Sequence, residues 1–414
     1  MLRKSPGEAG SSGSRADDSG KVVLPESKPS LLSLADIEAT RRPFVEARPL
    51  PGPPYRDPRI FSAEIETLFL NMWLCVGHQS GLASSGDYLM REVGDESVIV
   101  MRGDDGTIRA FHNVCRHRGT RLLDDAVGTV PACISCPYHS WTYGLDGKLL
   151  TAPLMDEVEG FDKTDYALCP VRCETWNGFV FISFDSDAVA LVECFAGLPD
   201  FSRFGMERLE LGARHEYEIA ANWKLVCENY GECYHCPTNH PQLNPVSHFR
   251  SGGDSFEGDC FCGGPMRLND GCVTMTVTGQ TTRDPIEGLG PDDLRLVHYF
   301  NIYPAFLLSL HPDYVLTHTI WPGAADRSVI RCEWLFAPEA IDRSDFDPSD
   351  AVDFWHVTNE QDWAICERAQ KGVQSRSYRP GRYQSLEKTI YFFDNWYLRF
   401  METVLSGNCN GDNG

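Results

Sequence analysis

Two short runs of this chain each pair a cysteine with a histidine. Cys115 and His117 stand as C-x-H, Cys136 and His139 as C-x-x-H, and eighteen residues separate His117 from Cys136. Two loops that each offer one thiolate and one imidazole suit a [2Fe–2S] centre in which one iron takes both sulfurs and the other both rings. Exchanging two thiolates for neutral imidazoles removes two negative charges. The potential then rises to roughly −150 to +300 mV, against about −400 mV for an all-cysteine plant-type cluster. Gly119 allows close backbone approach, nearby amide N–H groups can donate to sulfur, and Trp141 can exclude water. The competing reading is a structural Cys₂His₂ zinc site, kept open by Cys133, which makes C-x-x-C with Cys136. A zinc finger pairs like ligands, whereas each pair here is mixed.

A second constellation lies in ENYGECYHCPTNH, residues 228–240. Glu232 and His235 are spaced i, i+3 and would share a helical face. Pro237 would end that helix, and the chain would turn to return His240. Two histidines need a carboxylate to form the facial triad of non-heme Fe(II). Asp362 is the candidate, on a stripe with Val352, Trp355, Asn359 and Cys366. The alternatives are an internal salt bridge for Asp362, and structural histidines or zinc held with Cys233 and Cys236 for the pair. An electron-transfer cluster upstream favours the iron reading, because a one-electron relay and a three-ligand iron with open positions complement each other.

The elements that must position these groups follow from apolar periodicity. Residues 62–73 follow helical spacing with Ser62 as cap, and residues 220–235 read as a helix stopped by Pro237. SVIVMR and IRAFHNV flank GDDGT as a hairpin, and GFVFISF reads as a buried strand. Residues 297–337 alternate apolar runs with turns, as a sheet would. Residues 348–370 read as a long helix with Pro348 in its first turn and Gly372 past its end. The picture is a small β-rich module beside an α+β unit.

The formal net charge of −22 argues against nucleic acid, which needs basic patches, and favours cationic ligands. No run of eighteen apolar residues is present and the N-terminus lacks an apolar signal core, so a cytoplasmic protein without membrane spans is expected. With 16 cysteines and no export signal, a disulfide scaffold is not expected. Scattered cysteines such as Cys75, Cys169, Cys194, Cys332 and Cys366 read as small buried apolar residues.

The motifs CRHRG, CPYHSWTY, NWKLVCENYGECYHCPTNH and NEQDWAICERAQKG together resemble the catalytic subunit of the Rieske non-heme iron oxygenases, over roughly residues 45–403. The resemblance implies an α+β fold. A β-rich Rieske [2Fe–2S] domain would adjoin a larger catalytic domain with an antiparallel sheet and helices carrying mononuclear iron. The expected division is a disordered tail over 1–30, a helical segment over 31–74, the Rieske domain over 75–185, the catalytic domain over 186–404 and a disordered tail over 405–414. Cys115, His117, Cys136 and His139 would hold the cluster, and His235, His240 and Asp362 the iron. Glu232 would bridge the two centres across a ring of subunits, commonly a trimer, in which one protomer's cluster feeds its neighbour's iron.

Glutamate in place of the usual aspartate, with the ECYHC wording, looks like the branch that oxidises glycine betaine, carnitine, choline and related quaternary ammonium compounds. An aromatic ring-hydroxylating dioxygenase is the alternative within the family, and a zinc-binding structural protein the alternative outside it. The chain has no G-x-G-x-x-G fingerprint, so NAD(P)H electrons would arrive from a separate reductase, with or without a ferredoxin. A quaternary ammonium substrate, attacked beside iron by activated O₂, would be gripped by aromatic faces. Tyr299, Phe300, Tyr303, Phe306 and Trp321 lie where the pocket is expected.

Overall fold

The computed structural model describes residues 30–253 and 255–406. The tail expected over 1–30 lies outside the described residues except for Ser30. Of the tail expected over 405–414 only Leu405 and Ser406 are described, and they close the last helix.

The β-rich part is a seven-stranded antiparallel sheet in the order Leu74–His78, Phe179–Ser183, Pro170–Trp176, Ile108–His112, Glu96–Arg102, Asp87–Val93 and Val127–Thr129. The expected hairpin is present, with Val98 opposite His112 and Arg102 opposite Ile108. A separate three-stranded sheet, Cys133–Ser135, Thr142–Gly144 and Leu149–Thr151, carries the second Cys/His loop between its first two strands. Val98, Ile99, Val100 and Met101 are all buried, because sheet neighbours and loops cover both faces of their strand.

The second seven-stranded sheet, also antiparallel, runs Glu210–Ile219, Arg327–Phe336, Val315–Ala324, Phe306–Leu310, Leu296–Ile302, Phe261–Arg267 and Phe256–Glu257. Helices Trp223–Tyr230, Ser349–Val373 and Lys388–Ser406 pack on it. Phe179 and Phe181 of the first sheet meet Phe306 of the second at ring distances of 5.2 and 5.6 Å, so the two sheets share one apolar core.

Several sequence expectations shift. The helix expected to start at Ser62 starts at Pro58, because Asp57 caps the Arg59 N–H and proline fits the first turn; it runs on as a wider turn over Ile65–Phe69. The helix expected over 220–235 stops at Tyr230. Gly231, a poor helix former, takes the C-terminal position, and the Glu232 carboxylate captures the N–H groups of Tyr234 and His235. Pro237 therefore sits in the first turn of a new helix, Cys236–Asn239, rather than ending the old one. The helix expected over 348–370 extends to Val373, with Gly372 inside it.

Two cysteine pairs are joined, contrary to the expectation of free thiols. Cys194 pairs with Cys260 and Cys233 with Cys236, at Cα separations of 6.2 and 4.9 Å, within the range a bridge can span. Cys75, Cys332 and Cys366 are buried free thiols as expected, and Cys169 is half-buried.

Candidate metal centres

The first constellation is two tight turns facing each other. In one, the Gly119 N–H donates to the Cys115 carbonyl at 3.0 Å, a closure that holds Gly119 at φ +72°. In the other, the Ser140 N–H donates to the Cys136 carbonyl at 3.0 Å, with Ser140 at φ +57°. The turns bring the His117 and His139 rings to 4.6 Å between centroids. Cys115 and Cys136 are buried beside them.

The Tyr143 hydroxyl lies 3.3 Å from the Cys115 sulfur and accepts the Arg116 N–H at 3.1 Å. Trp141 stacks on His117 at 4.8 Å and 7°, and Tyr138 leans on His139 at 3.7 Å. Burial raises the Cys136 thiol, but the N–H groups of Tyr138 and His139 and the Cys115 thiol outweigh it and hold it below its ordinary value. The Nδ1 atoms of His117 and His139 are buried and have no hydrogen-bond partner. Two orphaned ring nitrogens next to two buried thiols fit a cluster with mixed ligands. Cys133 stands on a strand, paired with Gly144, rather than in either turn.

The second constellation comes from three elements. His235 precedes helix Cys236–Asn239, His240 follows it, and Asp362 projects from helix Ser349–Val373. The Nε2 atoms of both histidines converge on Asp362 Oδ1, His240 at 2.9 Å and His235 at 3.3 Å. Each ring is held from behind. His235 Nδ1 meets Glu232 Oε1 at 2.6 Å, and His240 Nδ1 meets Gln361 Oε1 at 2.7 Å. An acceptor behind each Nδ1 holds a proton there, so Nε2 is the nitrogen that would give up its proton to Fe(II), the arrangement of metal-ligating histidines.

Burial opposes charge on His235, but Asp362 and Glu232 overcome it and raise the ring to about 10. Burial likewise raises Asp362, and the two histidines pull it below the usual carboxylate range. A compact anion between two imidazoles fits a divalent cation, and the donor set fits non-heme iron. An imidazole nitrogen of each histidine also lies within 4.8 Å of the Cys236 sulfur. That sulfur is bonded to Cys233 and is not a thiolate ligand in this state.

A cavity of about 380 Å³ opens onto this site. Its walls include the aromatic rings of Tyr230, Phe249, Tyr299 and Trp355, with Met266 and Asn301. Of the residues that sequence placed in the pocket, Tyr299 lines it. Tyr303, Phe306, Trp321 and Phe300 do not. Tyr303 stacks on Trp396 at 4.4 Å, Phe306 joins the core shared by the two sheets, Phe300 packs on Phe201, and Trp321 lies under the Arg91 guanidinium at 5.9 Å.

Strand parity explains the sorting of Phe300, Phe306 and Trp321, while Tyr303 lies past the strand end at Ile302. Ile302 pairs with Phe306 and Phe306 with Thr319, so these positions and Trp321 share one face, whereas Tyr299 pairs with Ser309 on the other. The aromatic wall residues missed were Tyr230, Phe249 and Trp355. Trp355 carried a signal, since it lies seven residues before Asp362 on the same helical stripe.

Comparisons with known proteins cover both parts. Residues 206–403 match the ring hydroxylating alpha subunit catalytic domain, and residues 72–162 match the Rieske [2Fe–2S] domain. The glycine betaine monooxygenase oxygenase subunit of Chromohalobacter salexigens is 34% identical over 391 residues, covering 86% of each chain. The carnitine monooxygenase oxygenase subunit of Escherichia coli K12 is 32% identical over 349 residues, covering 81% of this chain and 86% of its own. The crystal structure of the quaternary ammonium Rieske monooxygenase CntA with gamma-butyrobetaine superposes with a TM-score of 0.73 at 29% identity, over 88% of this chain and 98% of that one. Naphthalene 1,2-dioxygenase from Rhodococcus shares the fold at 18% identity, with a TM-score of 0.68.

Proposed function

The chain belongs to the Rieske non-heme iron oxygenase alpha subunits, a class of oxidoreductases, and from that premise we propose that it oxidises a small quaternary ammonium compound, with glycine betaine the first to test. The observation that carries the substrate class is the aromatic lining of the cavity beside His235, His240 and Asp362. A quaternary ammonium has no proton to donate. Its recognition therefore falls to ring faces, worth about 0.5–1 kcal/mol each when exposed and about 2 or more when desolvated. Trp355 and Tyr230 are fixed for that task. The Trp355 Nε1–H donates to the Tyr314 hydroxyl at 2.7 Å, and the Tyr230 hydroxyl donates to the Leu308 carbonyl at 2.9 Å, so both polar edges are satisfied away from the ligand.

In this reading Cys115, His117, Cys136 and His139 hold the [2Fe–2S] cluster, and His235, His240 and Asp362 hold Fe(II). When bound, these groups supply single electrons and O₂ activation. The residues do the rest. Glu232 and Gln361 fix the two ring tautomers, and the aromatic walls set an N-methyl group against the site. We place Glu232 on the electron route between protomers of a homotrimer, one copy's cluster serving its neighbour's iron.

Electrons come from NAD(P)H through a separate reductase, and we place the enzyme in the cytoplasm, where that donor is made. No helix among the described residues is long and apolar enough to cross a membrane. The balance for an N-methyl substrate is R₃N⁺–CH₃ + O₂ + 2e⁻ + 2H⁺ → R₃N⁺–CH₂OH + H₂O, and the hydroxymethyl product releases formaldehyde and a proton to leave the tertiary amine.

The test is a substrate panel with reductase and NAD(P)H, read by O₂ uptake and formaldehyde release. Glycine betaine, carnitine and choline stand on one side and benzoate-like acids on the other. Oxidation of a trimethylammonium compound supports the reading. Oxidation of the aromatic acids alone replaces it with the ring-hydroxylating alternative.

A further inference from the structure

We propose that the Cys233–Cys236 pair decides which metal the His235–His240 site accepts, an inference that rests on the iron reading above. Two third donors compete for the same pair of histidines. Asp362 reaches both Nε2 atoms from helix Ser349–Val373. The Cys236 sulfur, from the residue next to His235, lies within 4.8 Å of an imidazole nitrogen of each ring. With the carboxylate as third donor, the site is the two-histidine, one-carboxylate set of non-heme iron(II). With a thiolate as third donor, it becomes a soft set that favours zinc.

Sulfur is a strong ligand only as thiolate, and in this structure it is bonded to Cys233. The bond therefore withholds the soft donor, and breaking it releases that donor 3% exposed beside the two rings. Cys233 is half-buried, and both cysteines line the 380 Å³ cavity, so small thiols, disulfides and ions have a way in. The clasp also brackets Tyr234 and His235, so it constrains the backbone that carries one ligand.

The redox step is thiol–disulfide exchange. A small disulfide is reduced to two thiols as the Cys233–Cys236 bond forms. The reagent's S–S bond breaks, and the two protein thiol protons pass to the released thiols. A small dithiol reverses it.

The experiment uses the full chain carrying its cluster but stripped of mononuclear metal. One sample is exchanged with oxidised glutathione. The other is reduced with dithiothreitol, which is then removed. Alkylation and mass spectrometry read the bond, and competition with a chromophoric chelator reads zinc affinity. Reduction is expected to tighten zinc at least tenfold in the unaltered chain. Cys233→Ser, which cannot close the bond, binds zinc tightly after reduction and is kept from oxidised glutathione, which would cap Cys236 as a mixed disulfide; Cys236→Ser binds zinc weakly in both states.

Equal zinc affinity before and after a verified break of the bond overturns the proposal, as does failure of oxidised glutathione to form the bond. Iron uptake by Cys236→Ser separates the two levels. Normal Fe(II) loading with unchanged zinc affinity rejects only the clasp. Loss of Fe(II) binding from both this variant and the unaltered chain rejects the iron site itself.

Discussion

Each histidine at the candidate mononuclear site is set by what stands behind it, and this makes the residue scale testable. Glu232→Gln keeps an acceptor for His235 Nδ1 but removes the charge that helps raise the ring. It is expected to retain cluster and iron by metal and sulfide analysis while losing reductase-coupled turnover. Unchanged turnover would take Glu232 off the electron route. Trp355→Leu removes one aromatic wall. With a loss of about 1–2 kcal/mol, KM for glycine betaine should rise roughly five- to thirtyfold with little change in kcat. A KM unaffected by this change would remove Trp355 from recognition.

The convergence of the candidate ligand residues was legible in the sequence, because the spacings Cys115–His117, Cys136–His139 and His235–His240 are local. The pocket walls were not. Which side of a strand faces a cavity depends on register with its neighbours, which separates Tyr299 from Phe306 and Trp321, while Tyr303 falls past the strand end at Ile302.

At the element scale, the helices beneath the mononuclear site are tied by buried charge. Lys224 donates to Glu64 at 2.5 Å with both side chains fully buried, and Glu64 also accepts from Trp223 Nε1 at 2.9 Å and the Tyr397 hydroxyl at 2.7 Å. This joins helices Pro58–Glu64, Trp223–Tyr230 and Lys388–Ser406. Lys224→Met leaves a buried carboxylate without its cation and should destabilise the fold by about 3–5 kcal/mol in denaturant unfolding. A loss under about 1 kcal/mol would show that the hydroxyl and indole donors suffice.

On the last of these helices, burial pushes Asp394 up to about 7, with the Glu387 charge adding to it, although it accepts from Tyr383 and the Leu50 N–H. The folded chain then keeps a proton that the unfolded chain releases near the ordinary carboxylate pKa. Its contribution to stability therefore falls as pH rises from about 4 to about 7. Asp394→Asn should flatten that limb of the thermal midpoint against pH, and an unchanged profile would contradict the assignment. The Trp223 helix was legible but its end was not. Helical spacing continued past Gly231, and the Glu232 carboxylate competing for backbone N–H groups has no signature in periodicity. Helix Lys388–Ser406 was missed although its apolar residues are dense, and it contributes Lys388 and Thr389 to the cavity rim.

At the scale of the whole molecule, the two seven-stranded antiparallel sheets share one core, and the candidate metal sites sit on loops and helices packed beside them. The two-part plan was legible because strand-rich residues 75–185 precede longer mixed segments. The join through Phe179, Phe181 and Phe306 was not, since each residue reads as ordinary core of its own sheet. The homotrimer proposed above predicts sedimentation at three times the 46.4 kDa chain mass, and a monomer retaining full turnover would contradict cross-protomer electron transfer.

The most direct test of the central claim uses the chain alone, loaded with both metal groups, chemically reduced, cleared of reductant and mixed with O₂ and glycine betaine. The account predicts a single turnover with formaldehyde formed in step with the O₂ consumed, because the electrons for one cycle are already stored beside the substrate. O₂ consumption without oxidation of glycine betaine, carnitine or choline, while a benzoate-like acid is hydroxylated, would contradict it.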